Sequence, residues 1–144
     1  MSNLIHDNNT TISELTKKLA TTLTERGLRL TTAESCTGGN LAVALCAEEN
    51  TAEFYDVGMV VFSDAAKERI LGVRHETIER FTAVSEQTVT EMAAKIRDIA
   101  EADIGVAISG YAGPEGGDDG TAAGTVCFGW NIRGQTETRT VLFS

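Results

Sequence analysis

Apolar residues recur at Ile12, Leu15, Leu19 and Leu23, the spacing of one face of a helix. Thr11-Ile12-Ser13-Glu14 has the form of a capping box, and Gly27 supplies a stop. Leu28 to Ala33 is short, apolar and β-branched and reads as a strand. Thr37 is then placed to cap a helix through Leu41, Ala42, Leu45 and Cys46. A second buried strand is expected over Val57–Phe62. Ser63 follows as an N-cap, with a helix over Asp64 to Leu71 and a stop at Gly72. Thr77 to Phe81 is a short helical turn. From a Ser85 cap, a longer helix places Val89, Met92, Ala93, Ile96 and Ile99 on one side. Ile104–Ser109 is a third apolar strand. Thr125–Trp130 and Thr138–Phe143 read as paired strands about a turn at residues 131–135.

The order αβαβααβββ predicts a layered α/β domain over residues 11–144, with a parallel portion and an antiparallel hairpin at one side. Residues 1–10 are expected to form a loosely ordered polar tail. The chain stops on its last strand, so a sheet face is expected to lack a final covering helix.

Composition narrows the partners. Twenty-one acidic and 12 basic residues give a net charge of −9. No run of Lys or Arg offers a footprint for nucleic acid or an anionic membrane. No apolar stretch approaches a membrane span of roughly 20 residues, and the N-terminus lacks the form of a leader. Cys36, Cys46 and Cys127 are odd in number and lack zinc-site spacing, so reduced thiols in the cytoplasm are expected. No metal or organic cofactor is expected. Six of the 14 glycines fall between Gly110 and Gly124, marking one loop in need of backbone freedom.

The candidate chemistry centres on Thr32-Ala33-Glu34-Ser35-Cys36-Thr37-Gly38-Gly39, at a strand-to-helix turn. A serine there can be a nucleophile while turn amides face a developing oxyanion, and Gly38 and Gly39 allow close approach of substrate. Read alone, the string favours a tight turn in which Ser35 and Thr37 merely cap backbone groups. Serine needs a base. His6 lies in the tail, and His75 stands between two helices without an obvious carboxylate to orient it, which argues against a Ser-His-Asp triad. Lys67, one turn into the helix after the second strand, is the alternative base if desolvated; otherwise it is a surface lysine beside Asp64 and Glu68. The loop from Gly110 through Gly113, Gly116, Gly117 and Thr121 to Gly124 follows a strand and could hold a phosphate on its amides, although Glu115, Asp118 and Asp119 oppose an anion.

Five segments together resemble the CinA C-terminal domain family of nicotinamide-nucleotide amidohydrolases. They are Thr32–Gly39, Gly58–Lys67, Leu71-Gly72-Val73, Ala83-Val84-Ser85 and Ser109–Pro114, with Gly124-Thr125-Val126 in register behind them. The resemblance covers about residues 11–143. It implies a three-layer α/β/α sandwich with a mixed sheet, and a homo-oligomer. It further implies hydrolysis of the carboxamide of nicotinamide mononucleotide to the acid and ammonia, with Ser35 as nucleophile and Lys67 as base. Thr37, Gly38, Gly39, Phe62, Gly110, Gly113, Gly116, Gly117 and Thr121 would contact that pyridine mononucleotide.

Three departures from the family pattern lower the expected activity. Phe62 stands where the family has tyrosine, and Asp64 where it has asparagine. Thr121-Ala122-Ala123-Gly124 replaces Lys-Pro-Val-Gly, removing a cation. The family pattern continues past the last strand with a Gly-Asp-Arg motif and a helix. The sequence therefore predicts a weak or silent amidase, or a non-catalytic paralogue that binds a nucleotide or a protein.

Overall fold

The computed structural model describes residues 10 to 144; residues 1–9 of the expected tail, His6 among them, lie outside the described residues. Helix α1 (Ile12–Arg26) starts where the Thr11 hydroxyl accepts from the Glu14 amide at 3.1 Å, and ends at Gly27 in the left-handed conformation. The Leu28 amide still donates to the Leu23 carbonyl, so strand β1 begins at Leu30 and runs to Glu34 rather than from Leu28 to Ala33. Helix α2 (Asn40–Cys46) follows, then a 3₁₀ turn (Thr51–Glu53) and strand β2 (Tyr55–Val60). That strand lies two residues earlier than the sequence pattern predicts. Val61 and Phe62 have already left the ladder, toward the site.

Helix α3 (Asp64–Ala66), capped by Ser63 as expected, passes into a π-helical turn over Lys67–Leu71 and stops at Gly72. Helices α4 (His75–Phe81) and α5 (Glu86–Ala100) lead to β3 (Ile104–Gly110), β4 (Thr125–Ile132) and β5 (Gln135–Leu142). The five-residue turn expected between the last two strands is a two-residue one. Arg133 and Gly134, with φ of 52° and 97°, make the primed geometry that suits a right-twisted hairpin.

The sheet order is β2-β1-β3-β4-β5. β1 pairs parallel with β2 and β3, while β3-β4-β5 is antiparallel. Helices cover both faces, as the sandwich reading requires. On one face α1 and α2 bury Ala20, Leu23 and Leu45 against Leu30, Phe54 and Tyr55. On the other, α5 presses Val89, Met92, Ala93 and Ile96 onto Ala33, Ala107 and Cys127. Burying such a side chain contributes roughly 1.5–3 kcal/mol. Gly129 permits this approach, since a Cβ there would lie 2.7 Å from the Val89 carbonyl oxygen. Two parallel crossovers and a buried centre bring the carboxyl ends of β1, β2 and β3 to one edge, where open α/β sheets bind ligands.

Candidate active site

Ser35 follows the last residue of β1, and its amide donates to the Ile108 carbonyl of β3 at 3.0 Å. On the other side the Val61 amide donates to the Glu34 carbonyl at 2.9 Å, so the segment leaving β2 stays alongside. From there Ser63 starts α3 and turns Lys67 back toward the sheet. Lys67 Nζ donates to Ser35 Oγ at 2.9 Å and to the Phe62 carbonyl at 2.8 Å. Ser35 Oγ donates to the same carbonyl at 3.3 Å.

Lys67 is only 1% exposed and Ser35 5% exposed. The residue pattern alone left open a surface lysine beside Asp64 and Glu68; the structure rejects that option. Burial holds the amine below its ordinary range, opposed by the charge of Asp64 and, more weakly, that of Cys36. The π-helical turn begins at this residue, a local widening that recurs at functional positions. Neutral, such an amine can accept the serine proton.

Thr37 does not cap α2. Gly39, left-handed at φ 100°, stands at the N-cap, and the Thr37 hydroxyl donates to Glu34 Oε1 at 2.6 Å. Glu34 is 1% exposed and also accepts from the amides of Leu41 and Ala42, both at 2.9 Å. It thus occupies the positive end of α2 and ties the whole turn to β1. Sequence reasoning misses Glu34 as a site residue, although a charged residue inside an otherwise buried strand is its signal. Among the described residues the amides of Cys36, Thr37 and Gly39 donate to no other residue, which leaves donors beside Ser35 for an oxyanion. Burial pushes the Cys36 thiol up, opposed in part by the charge of Lys67.

Phe62 contributes its carbonyl to the pair, while its side chain is 71% exposed at the rim. The Gly110 segment ends β3 beside Ser35, and Tyr111 packs on the core under the rim. The loop beyond folds back on itself. The amide of Gly117 donates to the Thr121 carbonyl, that of Gly120 to Gly117, and that of Thr121 to Asp119 Oδ1. A Cβ on Gly117 would lie 2.5 Å from the Tyr111 hydroxyl and 2.7 Å from Asp119 Oδ1. Gly113 is left-handed at φ 98° before a cis bond to Pro114. Thr82, at φ 68°, faces the Tyr111 phenol and Asp119, its buried hydroxyl without a hydrogen bond of full geometry. Tyr111, Thr82 and Asp119 have no part in the site the sequence predicts; they meet only through folding.

His75 is exposed, and, against the expectation from the sequence, it does have carboxylate partners. Nδ1 lies 3.0 Å from Glu68 and Nε2 3.1 Å from Glu79, which together raise its pKa. No group of metal-ligating side chains occurs among the described residues, and no helix among them is long and apolar enough to cross a membrane.

A CinA C-terminal domain model matches residues 12–144. Protein YdeJ of Escherichia coli K12 is 54% identical over 93% of this chain and 78% of its own length. Nicotinamide-nucleotide amidohydrolase PncC of the same organism is 40% identical over 92% of this chain and 81% of its own. A crystal structure described as a competence or damage-inducible protein from Enterobacter asburiae superposes with a TM-score of 0.93. It is 84% identical and covers 94% of this chain and 85% of that one.

Proposed function

The chain belongs to the CinA C-terminal domain family, and on that premise we propose that it hydrolyses the carboxamide of a pyridine nucleotide with Ser35 as nucleophile and Lys67 as base. One observation carries this reading: the 2.9 Å contact between a buried, desolvated lysine amine and the serine hydroxyl. The neutral Lys67 amine removes the Ser35 proton as Oγ attacks the amide carbonyl. The resulting oxyanion is met by amides of the Cys36–Gly39 turn. Lys67 passes the proton to the departing nitrogen, ammonia leaves, and a serine ester remains. Water, deprotonated by the same amine, attacks the ester; the carboxylic acid and free Ser35 are regenerated.

The departures at Phe62 and Asp64 leave this pair intact. Phe62 acts through its backbone carbonyl, which any residue supplies, and Asp64 touches Lys67 only through its charge. The geometry therefore favours a working dyad over a silent one. The alternative, a non-catalytic paralogue, draws support from the glycine-rich loop, whose amides at Gly117, Gly120 and Thr121 are engaged internally. Ammonia release from nicotinamide mononucleotide and related carboxamides separates the two. Activity that disappears in Ser35→Ala supports the amidase. No ammonia from any of these carboxamides leaves the binding role.

A further inference from the structure

The sheet has two outer edges, and they differ in kind. β5 carries Glu137 and Arg139 among threonines, the charged sort of edge that discourages further pairing. β2 ends the sheet on the other side. Over Tyr55–Val60 it holds one charge, Asp56, which Arg29 meets at 3.3 Å, and neither lysine nor proline. Helix α2, packed beside it, has no charged residue. On a chain of net charge −9 this strip is neutral, so two copies can approach there without like-charge repulsion.

The backbone of the same edge is open. The Val61 amide donates to the Glu34 carbonyl, and Gly58 and Val60 stand opposite Thr32 and Glu34. Strand alternation therefore turns the amides and carbonyls of Gly58 and Val60 away from β1, and both residues are exposed. A register shift between Leu30 and Thr32 confines the regular stretch to Gly58–Val60. Apolar side chains follow this edge. A Cβ on Gly39 would lie 3.5 Å from Val60 Cγ2, and Val43 sits one helical turn after Gly39. Val43, Val60 and Phe62 are all exposed.

We propose that β2 pairs antiparallel with β2 of a second copy about a two-fold axis at Met59, joining the two sheets into one. Open backbone groups call for a strand as occupant, and this strand matches itself. In that register Gly58 exchanges both hydrogen bonds with Val60 of the second copy, and Val60 with its Gly58. Each exposed valine lies across from a glycine, which leaves it room. The two half-buried Met59 side chains face each other at the axis. An axis at Gly58 instead would set Val60 against the acid Asp56, within the irregular stretch. The pairing brings the second copy's strand alongside Phe62, at the rim of the Ser35–Lys67 site.

Sedimentation of the full chain over a dilution series tests this, and a dimer that dissociates on dilution is expected. Val60→Lys places a charge on the strip. Val60→Pro removes an amide that faces away from β1. Each should raise the dissociation constant at least about ten-fold. Ile132→Lys, at an exposed position of the β4–β5 hairpin, should leave it unchanged. A chain that stays monomeric at about millimolar concentration overturns the proposal, as does an assembly indifferent to both Val60 variants. Met59→Cys reads the axis without relying on those variants, in a Cys46→Ser chain that lacks the exposed native thiol. Close-spaced antiparallel pairs have Cα atoms about 4.5 Å apart, within disulfide reach. Mild oxidation should therefore link the two introduced thiols between copies, and thiols left unlinked overturn the proposal.

Discussion

The Lys67 amine and the Ser35 hydroxyl, 32 positions apart in the chain, meet at 2.9 Å beneath the carbonyl of Phe62. Both groups are shut from solvent, and that carbonyl receives hydrogen bonds from each. Lys67→Met keeps the length and apolar volume of the side chain while removing the proposed base. Hydrolysis should fall by about 10²–10⁴-fold, the usual weight of a general base, while the melting temperature stays near that of the parent. Parallel assays of ammonia release and thermal unfolding check both halves.

The buried amine predicts a pH profile. Only neutral Lys67 can accept a proton, so activity should rise with pH through a midpoint below the ordinary lysine range. Asp64 favours the charged amine, so Asp64→Asn should move that midpoint to lower pH and raise activity on the acid side. A midpoint that stays in place in Asp64→Asn would exclude the electrostatic link.

The same shift acts on stability. In the window between the lowered folded pKa of Lys67 and its ordinary unfolded value, the unfolded chain binds more protons at this position. The local contribution therefore becomes more favourable as pH rises through that window, and below it the penalty of burying the charge is constant. Lys67→Met should flatten this part of the curve, measurable as denaturant midpoints across alkaline pH.

Glu34 anchors the turn that presents Ser35. Glu34→Ala strips acceptors from the amides of Leu41 and Ala42 and from the Thr37 hydroxyl. Each buried donor left unpaired costs about 1–3 kcal/mol. Urea unfolding should register a loss in that range or above, and Glu34→Gln, which keeps the volume and one acceptor, should lose less.

Gly129→Ala and Gly134→Ala contrast two kinds of glycine. At Gly129 the added methyl meets the Val89 backbone, which cannot turn aside, and the cost should be about 1–3 kcal/mol. At Gly134 nothing lies within 4 Å, but φ is 97°. There strain alone acts, at the lower end of the same range. Denaturant midpoints should show the larger loss in Gly129→Ala.

Much of this fold is written locally. The Thr11, Ser63 and Ser85 caps, the stops at Gly27 and Gly72, and the apolar face of α5 each depend on contacts within a few residues. The sequence also carried Ser35 and Lys67, because several motifs in register resemble one family. Its edges were less legible. β2 starts at Tyr55 and α2 after Gly39, since pairing to β1 and the Glu34 carboxylate, rather than local propensity, choose those boundaries.

By itself, then, the sequence determined the alternation of helices and strands, the mixed sheet and, through motifs in register, the pair Ser35 and Lys67 on which the proposed mechanism rests. Only the tertiary structure decided that Lys67 is buried rather than a surface lysine, because desolvation depends on β1, β2 and the π-helical turn closing over it. It alone brought Glu34 under α2, and Tyr111, Thr82 and Asp119 together at the rim. Burial and convergence are properties of packed strands distant in the chain, and no local spacing encodes them.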